Sequence, residues 1–286
     1  MAQARTRLFH LSDIHFGLED RQALAWVQRC IADERPAAVA ITGDLTMRAR
    51  RREFRAASGW IGDLAAPVTV SIGNHDMPYF NPFERFFAPY RRFRGMAALV
   101  EREIDLGDVV VVPLKTTARA QWRLNWSKGC VTRAALKRAL ALIDAVPPGT
   151  RVLVTAHHPL VEVGTNGTAL TRRGARALEE LARRNVLAVL SGHVHDPFDL
   201  VEQTAAGPVR MIGAGTLSRR IRSTPPSFNE IVIEGDCLRV EVRNMAAVMK
   251  SDMLLDDIPP DALPPRQPGE PVAPVGAVPE HDPPVH

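Results

Sequence analysis

Arg7-Leu8-Phe9-His10-Leu11-Ser12-Asp13-Ile14-His15, Ala38-Val39-Ala40-Ile41-Thr42-Gly43-Asp44 and Val68-Thr69-Val70-Ser71-Ile72-Gly73-Asn74-His75-Asp76 are built alike: a short apolar run, then polar residues able to bind a metal. Between the first two lies Arg21 to Asp33, which carries Leu24, Val27 and Ile31 at helical spacing, and Arg51 to Leu64 reads as a second helix between the second and third. Continuous apolar strands alternating with helices predict parallel pairing in a layered α/β core. Taken alone, this strand count points to an open sheet.

The pattern extends along the chain. Val100 to Asp105 and Val109 to Leu114 flank a Gly107-Asp108 turn and predict a hairpin. Arg133 to Ala145 and Arg173 to Arg184 predict helices, each leading into a strand, at Val152 to Ala156 and Leu187 to Leu190. Phe198 to Glu202, Val209 to Ile212, Glu230 to Ile233 and Leu238 to Val242 follow as strands without helices, so the second half is expected to be a mixed sheet.

Two of these later strands also end in metal-binding side chains, His157 and His158 after one, Gly192, His193 and His195 after the other. Ligands of open α/β sheets bind beyond the carboxyl ends of the strands. Five strand ends therefore predict one crevice lined by Asp13, His15, Asp44, Asn74, the 157–158 pair, His193 and His195. Burying so many ionisable groups is costly unless a cation holds them. Oxygen and nitrogen donors without thiolates suit two divalent ions sharing a carboxylate, and a two-metal hydrolase is the expected chemistry. One geometric demand follows. Asp13 and His15, like His193 and His195, are two residues apart, so each pair reaches the same ion only where the chain leaves strand geometry.

Composition narrows the alternatives. The 286 residues are 45% hydrophobic and 24% charged, an ordinary globular balance, and no run approaches the roughly 20 apolar residues of a membrane span. Cys30, Cys130 and Cys237 have neither disulfide-framework nor zinc-ribbon spacing, and residues 1–10 lack a signal-peptide core. A reducing, cytoplasmic setting is expected. Residues 254–286 hold ten prolines and six acidic residues against Arg266 alone, and are expected to be a disordered tail. The catalytic body is then residues 1–253, and it is basic, which weakly favours anionic ligands. No basic and aromatic nucleic-acid module, phosphate-binding loop or dinucleotide fingerprint is present, so nucleic acid as a partner is unsupported.

The ordered blocks Ser12-Asp13-Ile14-His15, Thr42-Gly43-Asp44, Gly73-Asn74-His75-Asp76, His157-His158-Pro159 and Gly192-His193-Val194-His195 resemble the calcineurin-like metallophosphoesterase superfamily over about residues 7–245. The implied fold is a four-layer α/β (α+β) sandwich of two mixed sheets flanked by helices. The implied cofactors are two divalent or trivalent ions, manganese, iron, zinc or cobalt. Asp13, His15, Asp44 and His195 would hold one ion and Asp44, Asn74, His157 and His193 the other, with Asp44 bridging. His157 is preferred to His158 because the family's ligand stands two residues before a proline, here Pro159. The implied nucleophile is a metal-bridging hydroxide. His75 would face the substrate, stabilising the transition state or protonating the leaving oxygen, and Asp76 would orient its ring.

Gly43-Asp44-Leu45-Thr46-Met47-Arg48 lacks the Asp-Arg-Gly of the protein phosphatases, whereas the Leu11-Ser12-Asp13 opening is similar to the bacterial phosphodiesterases of small substrates. A cyclic nucleotide or glycerophosphodiester is the expected substrate class; a phosphomonoesterase, a nuclease and a catalytically silent metal-binding scaffold are the alternatives. Residues 79–93 are rich in aromatics and arginine. They read as a cap helix in which Tyr79 and Arg85 contact substrate, or as an amphipathic helix packing Phe83, Phe86, Phe87 and Tyr90 into a core or a homodimer contact. Trp122 lies in a loop-like stretch, 116–129, and is a further candidate contact. The segment from Ala214 to Ser218, with Arg219, Arg220 and Arg222 after it, reads either as a phosphate-facing turn or as a surface turn.

Overall fold

β1 (Arg5–Leu11), β2 (Ala38–Ile41) and β3 (Val68–Val70) run parallel, joined through α1 (Arg21–Glu34) and α2 (Arg51–Gly62). Asp20 starts α1 by accepting hydrogen bonds from the amides of Gln22 and Ala23, and the helix buries Leu24, Trp26, Val27 and Ile31. The computed structural model describes residues 5–78, 82–96, 98–118, 127–165 and 171–246. These belong to one compact unit, Met1–Ala247.

The open sheet is not what forms. β10 (Ser227–Glu234) pairs antiparallel with β1 and β11 (Cys237–Asn244) with β10, closing a five-stranded mixed sheet in the order β11-β10-β1-β2-β3. The middle of the chain builds a second, six-stranded sheet. It comprises β4 (Ile104–Asp105), β5 (Val109–Pro113), β6 (Arg151–Thr155), β7 (Ala188–Ser191), β8 (Phe198–Thr204) and β9 (Gly207–Gly213), ordered β4-β5-β6-β7-β9-β8. Its centre is parallel and its edges antiparallel, the predicted 104–113 hairpin among them. A parallel crossover looks the same in sequence whichever sheet receives the next strand, and this is why strand counting misses the division.

Side-chain alternation explains how the layers pack. Val109 and Val111 of β5 join Leu8, Ala40, Leu153, Leu190, Ile212 and Ile231 in a core between the sheets. Val110 and Val112 point the other way, into a second core with Ile143 of α4 (Arg133–Ala145) and Leu178 and Leu181 of α5 (Gly174–Ala182). On the opposite side Trp26 of α1 stacks 5.0 Å from Phe228, which lies 4.9 Å from Phe9. The result is two mixed sheets flanked by helices.

One reading is corrected here. The 79–93 region is not one amphipathic helix: α3 (Pro82–Phe87) ends before a 3-10 turn at Arg91–Met96, and Phe83 and Phe87 stand exposed instead of packing into a core. Phe93 packs edge-on to Phe54 at 4.7 Å. Cys237 is exposed, unlike Cys30 and Cys130. Among the described residues no helix is long and apolar enough to cross a membrane.

Candidate metal centre

Asp13 and His15 follow β1, Asp44 follows β2, Asn74 follows β3, His157 follows β6, and His193 and His195 follow β7. All these strands are parallel within their sheets, so their carboxyl ends gather the side chains on one side. The required departure from strand geometry is present. Asp13 (φ 53°), His15 (φ 50°), Asp44 (φ 50°), His193 (φ 71°) and His195 (φ 62°) all occupy the left-handed region, a strained arrangement that persists where surrounding structure enforces it. It brings Asp13 Oδ1 within 3.7 Å of His15 Nε2, although both side chains leave the same short loop.

Each carboxylate divides its oxygens. Asp13 Oδ2 accepts from the His193 amide at 2.8 Å and from Ser12 Oγ at 2.6 Å, while buried Oδ1 has no hydrogen-bond donor and faces His195 Nε2 at 3.1 Å. Asp44 Oδ1 accepts from the His75 amide at 2.8 Å, while Oδ2 faces His157 Nε2 at 3.4 Å and His15 Nε2 at 3.9 Å. Imidazoles are held from behind in the same manner. His157 Nδ1 donates to the Thr42 carbonyl at 2.7 Å and His195 Nδ1 to the Arg220 carbonyl at 2.9 Å, which turns both Nε2 atoms inward. Asn74 Oδ1 lies 3.1 Å from His157 Nε2, and His15 Nε2 lies 3.2 Å from His195 Nε2.

The separations of 3.1 to 3.4 Å between Asp13 and His195, Asp44 and His157, Asn74 and His157, and His15 and His195 are compatible with atoms sharing a cation. Bonds near 2.1 Å to one ion leave neighbouring ligand atoms about 3.0 to 3.4 Å apart. Candidate ligand atoms of Asp13, His15 and His195 lie within 4.8 Å of one another, as do those of Asp13, Asp44 and His157. The undonated Asp13 Oδ1 and buried His15 Nδ1 are costly as they stand, and a cation relieves the first directly. The donor set fits the expected metals.

Protonation agrees with that fit. Burial raises the Asp13 and Asp44 carboxyls, but His195 beside the first and His157 beside the second outweigh it and hold both well below the usual range. Burial pulls His15 down to about 3 and His193 to about 4, so both imidazoles are neutral and have a lone pair to offer. Burial likewise opposes charge on His157, yet Asp44 overrides it and lifts that group to about 9. A proton on His157 here balances Asp44 where a cation would.

His158 has an atom near His157 and His193 as well, but both of its ring nitrogens are engaged: Nδ1 meets Thr116 Oγ1 at 3.0 Å and Nε2 the Ser127 carbonyl at 2.8 Å. Asp76 does not orient His75. Its carboxylate accepts from the amides of Leu45, Thr46 and Gly73 and from Thr46 Oγ1, clasping the loops that carry Asp44 and Asn74. Burial, then the charge of Asp44, raises it to about 6. The His75 ring is held instead by the Met47 carbonyl, which accepts from Nδ1 at 2.8 Å. Glycine is needed at 73 because a Cβ there would stand 2.1 Å from Asp44 Oδ1.

A cavity of about 190 Å³ opens over this centre, lined by Asp44, Asn74, His75, Ser127, His193, His195, Arg220 and Arg222. Arg85 is buried beside it, with Asn74, Met77, Thr117, Lys128 and His158. Tyr79 and Trp122 lie outside the described residues. Arg220 is the residue that sequence reasoning undervalued: the turn after β9 faces the cavity, with Nη1 3.1 Å from His75 Nε2 and 3.5 Å from His15 Nε2.

A two-sheet sandwich that collects carboxylates and imidazoles beyond its parallel strand ends defines the class of metallophosphoesterases. The chain belongs to the calcineurin-like phosphoesterase family, whose profile residues 6–197 match, and that family uses binuclear metal centres. Among solved structures it is similar to the purple acid phosphatase PPD1 of yellow lupin (Lupinus luteus) seeds, at 14% identity and a TM-score of 0.65. The similarity covers 85% of this chain and 52% of that one, so the chain spans about half the lupin protein's length. A dimetal phosphatase from Danio rerio matches at 14% identity and 0.57, over 83% and 98% of the two chains. GAP50, described as the anchor in the inner membrane complex of Plasmodium, matches at 12% and 0.59, over 85% of each. No curated protein matches the sequence. At these identities the structural likeness speaks for the fold alone.

Proposed function

We propose that this protein hydrolyses small phosphodiesters, such as a cyclic nucleotide or a glycerophosphodiester, at two cations. Asp13, His15, Asp44 and His195 would hold one and Asp44, Asn74, His157 and His193 the other. When bound, such ions supply Lewis acidity, acidification of water and neutralisation of phosphoryl charge. The observation that carries the reading is the division of oxygens on Asp13 and Asp44, one fixed by backbone amides and the other aimed at imidazole nitrogens.

The chain's own residues do the rest. Asp76 is a positioning residue that clasps the loops of Asp44 and Asn74. His75 presents Nε2 to the cavity. Its Nδ1 is held by the Met47 carbonyl and its Nε2 lies 3.1 Å from Arg220 Nη1, so the ring stands where it could stabilise the bound phosphoryl group or protonate the leaving oxygen and also orients that guanidinium. Asn74 contributes an oxygen without adding negative charge to a site that receives an anion. Catalysis is assigned to residues 1–253, and the unpaired cysteines support a reducing, cytoplasmic setting.

Metal analysis of the purified protein, with hydrolysis of bis(4-nitrophenyl) phosphate, cyclic nucleotides and glycerophosphodiesters, tests the proposal. About two equivalents of metal and EDTA-sensitive turnover of a diester are expected. Bound metal without turnover under manganese, iron, zinc or cobalt would favour a scaffold, and absence of bound metal would end the reading.

A further inference from the structure

A cavity of about 740 Å³ lies between α2 and the 3-10 turn at Arg91–Met96; it is larger than the one over the candidate metal centre and shares no lining residue with it. Four guanidiniums line it, those of Arg51, Arg55, Arg91 and Arg92, and among the described residues no carboxylate does. Arg51 and Arg55 stand exposed one turn apart on α2, and neither side chain has an ion pair or hydrogen bond among the described residues. Buried Glu84 orients the other two: Arg91 Nε and Nη2 donate to its Oε1 at 3.2 and 3.1 Å, and Arg92 Nε donates to the same oxygen at 3.0 Å. Arg92 Nη1 also donates to the Ala49 carbonyl, which fixes that side chain at its far end. One carboxylate thus serves two arginines, and the cavity stays positively charged. Phe54 and Met96, both buried, supply its apolar floor. Gly59 of α2 keeps it open. A Cβ there would meet nothing within 4 Å, so no packing contact demands a glycine, although glycine within a helix is less favourable than alanine. What the missing side chain leaves is space beside the arginines.

We propose that this cavity is a second ligand site, separate from the metal centre, and that it takes a nucleoside diphosphate. The planar fork of an arginine matches phosphate oxygens in pairs, and several forks around one space suit a ligand with more than one phosphoryl group. The floor and the aliphatic stems of the arginines offer apolar surface to a flat base, on which a guanidinium plane also stacks. An inorganic anion would leave that surface uncovered, and an uncharged ligand would leave the guanidiniums without counter-charge. The volume lies within the range of small-molecule sites, about 300 to 1,000 Å³. Binding here makes and breaks no covalent bond and is independent of the phosphodiesterase reading above.

Calorimetry on the full chain tests the proposal, with α,β-methylene-ADP, which resists hydrolysis, and with pyrophosphate and adenosine as its two halves. The nucleotide should bind to the wild type and, with one equivalent, to Asp44→Asn, in which the metal centre is disabled. Pyrophosphate and adenosine should each bind at least about tenfold more weakly than the nucleotide. Replacing both Arg51 and Arg55 by alanine removes charge-assisted hydrogen bonds and should weaken the nucleotide at least about tenfold. Gly59→Trp, which fills the cavity, should abolish binding, whereas Gly59→Ala should keep it with a thermal midpoint no lower than that of the wild type. Wild-type affinity in the double arginine variant or in Gly59→Trp would overturn the proposal, as would pyrophosphate or adenosine binding as tightly as the nucleotide. So would absence of binding to the wild type. Binding that is lost in Asp44→Asn but kept in the double arginine variant would place the nucleotide at the metal centre and overturn it likewise.

Discussion

Asp44 Oδ2 stands 3.4 Å from His157 Nε2, while Asp44 Oδ1 is held by the His75 amide and His157 Nδ1 by the Thr42 carbonyl. Two groups from different sheets are thus each fixed from behind and left free where they meet. Asp44→Asn removes the charge that both ions would share but keeps the size. Metal content by plasma mass spectrometry should fall by at least about half, and kcat by about 10³-fold, since several kcal/mol of transition-state stabilisation depend on the cations. Full metal occupancy in this variant would refute a bridging role.

Adjacent histidines should behave differently. His157→Ala is expected to lose metal, whereas His158→Gln, which replaces a ring already engaged with Thr116 and Ser127, should keep it and lose mainly stability, by about 1 kcal/mol per hydrogen bond not remade. Titration of metal into both apoproteins distinguishes them, and the reverse ranking would mean that the ligand has been misassigned.

His75→Ala keeps the backbone amide that holds Asp44 and removes only the ring. Turnover should fall by about 10²- to 10⁴-fold, the range of a positioned histidine, while metal content stays near that of the wild type. Loss of both metals would instead make the ring a ligand, as its proximity to His15 and Asp44 permits.

Gly192→Ala tests the packing behind the metal ligands. A Cβ at this position would sit 1.7 Å from Ser12 Oγ and 2.5 Å from Asp13 Oδ2, so Asp13 must move. Overpacking of this kind costs about 1–3 kcal/mol, and displacement of a ligand's supporting bond weakens metal binding by about 10- to 100-fold. Wild-type metal affinity and thermal midpoint in this variant would show that the loop yields freely.

Stability should decline on mild acidification, partly through a residue outside the metal centre. His10 is buried between Thr42 and Asn229, and burial lowers it from the ordinary 6.5 to about 3. As pH falls below 6.5 the unfolded chain binds a proton that the folded chain refuses. The loss therefore begins near 6.5, continues to about 3, and approaches a limiting slope of about 1.4 kcal/mol per pH unit. Urea unfolding of wild type and His10→Gln between pH 7 and 4.5 should give a flatter dependence in the variant; parallel curves would count against a neutral buried His10.

The sequence by itself marked most strands and helices of the body, because apolar periodicity is local, though not the break between α3 and the 3-10 turn or the shortness of β4. It also marked the polar blocks at 13–15, 44, 74–76, 157–158 and 193–195 that supply the candidate ligands, since each is a short run at the end of one strand. Tertiary structure alone decided the rest. Which strands enter which of the two sheets that the motif resemblance implied, the positive φ angles that let Asp13 and His15 face each other, and Asp76 as a clasp for the loops of Asp44 and Asn74 depend on pairings between distant segments. Arg220 shows the limit most clearly. In sequence it is one arginine of three after a turn, and it acquires meaning only when the chain brings it within 3.1 Å of His75, because the partner that orients a guanidinium leaves no mark near it in the sequence.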